Sequence, residues 1–182
     1  MAETAGTALP VPELDPPARL LIVRAPYYTT IAEGQLAGAK AVLDGARAGY
    51  DVIDVPGALE IPPTIRLAAE AGRYEGYVAL GCVIRGETTH YETVCEESAR
   101  GITLLGVDRG LCIGNGILTC ETLAQAEERA DPSRQNKGGG AAEAALHLVA
   151  LARRFVPGRG PVLPPDPDDA VFTVATGLSR TA

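Results

Sequence analysis

The chain has no tryptophan and only two phenylalanines among its 182 residues. Aromatic faces are too few to build a stacking platform for single-stranded nucleic acid. Basic charge is short as well: 16 lysines and arginines stand against 23 aspartates and glutamates, for a formal net charge of -7. That balance opposes non-specific binding to phosphate backbones, so an anionic ligand has to find a local basic pocket. Metal-binding side chains are scarce. The four cysteines (Cys82, Cys95, Cys112 and Cys120) form no C-x-x-C pair, and His90 and His147 are the only histidines, a poor inventory for zinc. Cys82, Cys112 and Cys120 lie in or beside apolar runs and read as small buried thiols. No apolar run approaches the ~18 residues of a membrane span, and the opening MAETAGTALPVPELDPP lacks the basic and apolar blocks of a signal peptide. The expectation is a soluble cytoplasmic protein with neither nucleic acid nor membrane as a partner. No G-x-G-x-x-G follows a first strand, so a dinucleotide fingerprint is absent.

Against these absences, 46% of the residues are hydrophobic and 21% charged, enough apolar material for one core in a chain of this length. Prolines crowd both ends, at Pro10, Pro12, Pro16 and Pro17 and again from Pro157 to Pro167. Residues 1–17 and 156–182 therefore read as extended tails around a domain at 18–155. Inside it, Leu20 to Val23, Tyr50 to Val55, Tyr77 to Cys82 and Leu111 to Leu118 are short apolar or β-branched runs of strand type. Between them, sets such as Ile31, Gln35, Ala39, Val42 and Leu43, or Val94, Ser98, Ile102 and Leu105, repeat at helical spacing. Thr122 and Gln125 fit a capping box for a short helix that Asp131-Pro132 stops. A last helix is expected from about Gly139 to Arg154 with Ala141, Ala145, Leu148 and Ala152 on its buried stripe and His147 at the surface. Regular alternation of strand and helix implies a three-layer α/β/α sandwich on a four-stranded, mainly parallel sheet.

In such sheets ligands bind beyond the carboxyl ends of the strands, and the unusual residues fall there. The first strand leads into Ala25-Pro26-Tyr27-Tyr28, the second into Pro56 to Pro62, and the third into Val83 to His90. His90 has the ionisation range for proton transfer at neutral pH, or it simply starts a helix. Glu60 either compensates a helix dipole or binds a ligand. Tyr27 is a stacking face or a rim residue. Thr88 and Thr89 beside Gly86 offer hydroxyls and amides to an anion, or ordinary capping. Arg129 and Lys137 flank the Asp131-Pro132 break and can clamp a phosphate or stay solvated, while Arg85 is a further anion contact or the partner of a carboxylate.

Four segments taken together, PGALEIP at 56–62, GCVIRGETTHYE at 81–92, GNGILT at 114–119 and AEERADPSRQNKGG at 126–139, resemble the lumazine synthase family in order and interval. The resemblance runs from Ala18 to about Phe155. It implies a flavodoxin-like fold and a cofactor-free, metal-free transferase of riboflavin biosynthesis. That enzyme joins 5-amino-6-(D-ribitylamino)uracil to 3,4-dihydroxy-2-butanone 4-phosphate, giving 6,7-dimethyl-8-ribityllumazine, phosphate and water. Carried over residue by residue, Tyr27 stacks on the pyrimidine, Ala58, Leu59 and Glu60 line the ribityl chain, and Cys82, Val83 and Ile84 edge the heterocycle. Glu87 and Thr88 form the phosphate-side loop, His90 moves protons, Arg129 holds phosphate, and Lys137 lies near that anion. Two positions depart from the pattern: Asn115 stands where an apolar aromatic is common, and Pro26 where a basic or polar residue is. Asn115 is kept as a binding residue. The resemblance further implies a homopentamer whose sites lie between subunits, with Asn115, Arg129 and Lys137 reaching across to Tyr27, Glu60 and His90. Larger icosahedral shells occur in the family, but the proline-rich amino end favours a free pentamer. A non-catalytic lumazine- or flavin-binding paralogue and a shell whose role is structural are the competing readings.

Overall fold

The computed structural model describes residues 9–156 and Gly158. Four strands, β1 (Arg19–Arg24), β2 (Gly49–Asp54), β3 (Gly76–Ile84) and β4 (Cys112–Cys120), form one sheet in the order β2-β1-β3-β4. Every pairing is parallel. The helices are α1 (Thr29–Gly45), α2 (Ile61–Glu70), α3 (His90–Arg109), α4 (Leu123–Ala130) and α5 (Lys137–Phe155), with a single 3-10 turn at Ala58–Glu60 before α2. Among the described residues no helix is long and apolar enough to cross a membrane.

The sandwich follows from the period of two along buried strands. In β1, Leu20 and Ile22 face a core shared with Leu43, Leu146 and Val149 from α1 and α5. Leu21 and Val23 face the opposite core, with Ile61, Ile65 and Ile102 from α2 and α3. Each fully buried Leu or Ile in these layers contributes about 1.5–3 kcal/mol through area removed from water. A smaller cluster of Ile31, Leu118, Cys120, Ala126 and Ala130 seats α4. The chain crosses from β1 to β2 on one side and from β2 over to β3 on the other, so the sheet order reverses between β1 and β3. That reversal opens a crevice at the carboxyl ends of the strands.

Local signals place the rest. The Thr122 hydroxyl accepts from the Gln125 amide and the Gln125 side chain accepts from the Glu121 amide, which fixes the start of α4. Helix α5 differs from the sequence expectation in two ways. It begins at Lys137, where Asn136 in a left-handed conformation accepts from the Gly139 amide. Its buried stripe runs through Ala141, Ala142, Ala145, Leu146 and Val149, leaving Leu148 40% exposed and His147 half-buried rather than at the surface. The stripe is wider and rotated because α5 packs on the sheet and on α1 at once. At residues 9–18 there is neither helix nor strand, yet Leu14 is packed into the α1/α5 core. The expected carboxyl-terminal tail beyond Val156 lies, apart from Gly158, outside the described residues.

At the centre of this packing, a Cβ on Gly114 would lie 1.8 Å from the Ala141 carbonyl oxygen. Backbone against backbone cannot give way as a flexible side chain does. Gly114→Ala is expected to lift α5 from β4 and cost about 3 kcal/mol or more. Urea unfolding followed by circular dichroism measures it, and a midpoint equal to that of the parent protein would contradict the contact.

Candidate active site

Beyond the carboxyl ends of β1, β2 and β3 lies a cleft of about 450 Å³. It is lined by Tyr27 and Tyr28 after β1, Pro56 to Glu60 after β2, Cys82 to Ile84 and Thr88 around the end of β3, and His90, Tyr91 and Val94 from the first turns of α3. Three crossover loops converge there, as the sheet rule requires. The Tyr27 ring is 75% exposed and meets Tyr28 edge to face, with centroids 5.0 Å apart, so one of its faces is open to a planar ligand. The 3-10 turn presents Ala58, Leu59 and Glu60 in succession. Gly57 leaves room for the Glu60 carboxylate to fold back over the turn, because a Cβ there would lie 3.0 Å from Glu60 Oε2.

Strand β3 is buried for six residues and then half-buried from Cys82 to Ile84, which is where it runs out into the cleft. Burial, with smaller contributions from the nearby Cys120 and Cys95, pushes the Cys82 thiol up to about 12. The group is a neutral, small wall and not a nucleophile. His90, the first residue of α3, is exposed at the cleft, and its amide donates to the Thr88 hydroxyl at 3.4 Å. Arg85 resolves to the carboxylate partner. It donates from Nε to Glu121 at 2.5 Å and also to Glu92, and it lies 4.2 Å over the Tyr91 ring. This ties the end of β3 to the end of β4 and to the first turn of α3, and the guanidinium holds the Glu92 carboxyl below its ordinary range.

The remaining expected residues lie elsewhere. Asn115, Arg129 and Lys137 line a separate recess of about 320 Å³, together with Gly116 to Thr119 of β4 and Gly140, Ala141 and Ala144 of α5. Arg129 is half-buried and donates to the Gln125 carbonyl at 3.2 Å. Asn115 Oδ1 accepts from the Ile117 amide at 3.0 Å, so that its side chain keeps a donor in its amide nitrogen. Among the described residues, no acid lines this recess and no lysine or arginine lines the first. Glu87, expected beside Thr88, lines neither. Tyr91 and Val94 were missing from the sequence expectation of the site; their signal was the spacing from His90, which puts positions 90, 91 and 94 on one face of a helix start. Gly140, Ala141 and Ala144 were also missed, because small residues on a helix read as packing.

A switch-point cleft with a histidine, a carboxylate and an open aromatic face is the arrangement of a small-molecule site in an open α/β sheet. A family model described as 6,7-dimethyl-8-ribityllumazine synthase matches residues 17–153. The protein of that name from Jannaschia sp. (strain CCS1) is 54% identical over 155 residues, covering 85% of this chain and 86% of the relative. Its namesake from Azorhizobium caulinodans is 58% identical over 142 residues, 75% of this chain and 88% of the relative. The one from Methylobacterium radiotolerans is 52% identical over 156 residues, 84% of this chain and 94% of the relative. The chain belongs to the 6,7-dimethyl-8-ribityllumazine synthase family and is a transferase of riboflavin biosynthesis.

Two outcomes follow from the electrostatics. Iodoacetamide at pH 8 should label Cys82 of the folded protein ~10-fold or more slowly than a free thiol, whose pKa is about 8.5. Peptide mapping of the alkylated protein reads this directly, and labelling at the free-thiol rate would refute the neutral wall. Second, a carboxyl depressed in the folded state stabilises it above the unfolded pKa and ceases to do so as pH falls through the folded value. The melting temperatures of the parent protein and Arg85→Ala should therefore differ most near neutral pH and converge toward pH 3. A gap of constant size across that range would show that Arg85 acts through packing alone.

Proposed function

We propose that the chain condenses 5-amino-6-(D-ribitylamino)uracil with 3,4-dihydroxy-2-butanone 4-phosphate to 6,7-dimethyl-8-ribityllumazine, phosphate and water, at a site completed between neighbouring subunits of a homopentamer. One observation carries the shared site: among the described residues the cleft with His90 is lined by no lysine or arginine, while the recess with Arg129 and Lys137 is lined by no acid, and the two are separate in one chain. A phosphorylated substrate beside His90 needs a cation, which a neighbour supplies. Exposed apolar residues support such contacts, with Val107 78% and Leu104 42% exposed on α3 and Leu151 47% exposed on α5.

In this reading Tyr27 stacks on the pyrimidine, Cys82, Val83 and Ile84 edge its ring, and Ala58, Leu59 and Glu60 receive the ribityl chain. Glu87 and Thr88 form the loop on the phosphate side, and Asn115 of the neighbour donates to the ring. Arg129 and Lys137 of that neighbour hold the phosphate through charge-assisted hydrogen bonds. The amine adds to the ketone, water leaves as the imine forms, phosphate is eliminated, and a second loss of water closes the ring. His90 carries protons between these steps, and orientation of two reactants contributes most of the acceleration. The balance of these steps calls for no redox cofactor or metal. The four cysteines are all free, which suits a reducing cytoplasm. Pro10, Pro12, Pro16 and Pro17 disfavour strand addition by the amino end, which supports a free pentamer over an icosahedral shell.

The test mixes two variants. His90→Ala and Arg129→Ala chains, unfolded, combined in equal amounts and refolded, restore a complete site only where an Arg129→Ala subunit meets a His90→Ala neighbour in the right order. Random mixing produces that order at about a quarter of interfaces. Lumazine formation, followed by absorbance, should rise to about a quarter of the parent rate, above either variant refolded alone. Activity equal to the average of the two variants, in rings shown to be mixed by native mass spectrometry, would refute the shared site.

A further inference from the structure

Gln35 is the one fully buried polar side chain on α1, with 0% exposure. Its Nε2 donates to the Gly116 carbonyl oxygen at 2.6 Å, and its Oε1 is buried with no hydrogen-bond partner. A residue kept only to fill that space is better apolar, because a buried acceptor without a partner costs more than a methylene in its place. The two ends of Gln35 meet both walls of the cationic recess. Its side chain holds Gly116, between Asn115 and Ile117 in the β4 wall. Its main-chain carbonyl lies under Gly138, where a Cβ would come within 2.1 Å of it, and Gly138 follows Lys137 directly. One turn further along α1, Gly38 admits Asn136, whose side chain starts α5: a Cβ at Gly38 would lie 2.0 Å from Asn136 Oδ1.

We propose that Gln35 is a positioning residue for substrate phosphate: it fixes the spacing between Asn115 on β4 and Lys137 on α5, and so the width of the recess that receives the phosphorylated butanone. The inference rests on the proposed role of that recess. Gln35 touches neither substrate and acts only through the two walls.

Two near-isosteric variants of the full-length oligomer test it. Gln35→Met removes the donor at every pH. Gln35→Glu can donate to Gly116 while its carboxyl is neutral, which burial favours well above the ordinary range, and it faces the carbonyl with a negative charge once ionised. Gln35→Met should raise KM for 3,4-dihydroxy-2-butanone 4-phosphate about 5- to 10-fold, with kcat and the KM for the ribitylaminopyrimidine within about two-fold of the parent. Gln35→Glu should approach the parent at pH 6 and lose affinity for the phosphorylated substrate as pH rises, relative to the parent at the same pH. Arg129→Ala separates the two levels. If Arg129→Ala leaves that KM unchanged, the phosphate role of the recess itself fails. If Arg129→Ala raises it while both Gln35 variants keep parent-like KM values across the pH range, Gln35 is structural only and the inference is overturned, whatever happens to the melting temperature.

Discussion

Helix α5 lies against β4 at a distance that only a bare backbone permits. The carbonyl of Ala141 occupies the space a side chain on Gly114 would need, and much of the architecture depends on that contact. It brings the amino end of α5 down to the sheet, where Lys137, Gly140 and Ala141 form one wall of a recess whose other wall is Asn115 to Thr119 of β4. The same closeness lets α1 reach across to both. A larger residue at Gly114 would disturb the hydrophobic layer and widen the recess together, so stability and the shape of the recess are coupled through one contact.

The two concavities divide the chemistry by charge. The cleft at the switch point holds Glu60, a neutral thiol and His90, and Arg85, the nearest cation in sequence, is spent on Glu121 and Glu92. Arg129 and Lys137 stand over a different part of the surface with no lining carboxylate to neutralise them. A protein with a net charge of -7 thus keeps a local patch of positive charge, and the surrounding negative potential discourages polyanions.

Much of this was legible in the sequence, for reasons that differ from element to element. Strands β1 and β3 show as apolar runs because they are central and buried on both faces, the half-exposed edge strand β2 shows through its β-branched residues, and α4 shows because Thr122, Gln125 and Pro132 are local signals that need no tertiary context. The cleft residues could be placed because loops after parallel strands share one end of the sheet. The face of α5 could not be read well: a helix that packs on a sheet and on another helix buries more than one stripe, and Leu148 then falls outside both. Gln35 looked like an ordinary member of a helical stripe, since its partner Gly116 is 81 residues away and no periodicity encodes a bond of that range. Arg85 carried two readings until the positions of Glu92 and Glu121 decided between them.

At the far end of the sheet, Arg153 near the end of α5 binds Glu75 through two hydrogen bonds of 2.7 and 2.8 Å and donates a third, at 2.7 Å, to the carbonyl of Pro16. The incoming and outgoing segments of the domain are thereby clipped together beside the amino ends of the strands, on the side opposite the cleft. For anyone attaching a fluorophore, an affinity handle or a cargo protein, Pro16 and Arg153 mark two neighbouring positions on one face of the domain. A label placed beside either position sits at the amino ends of the strands, on the face remote from the cleft.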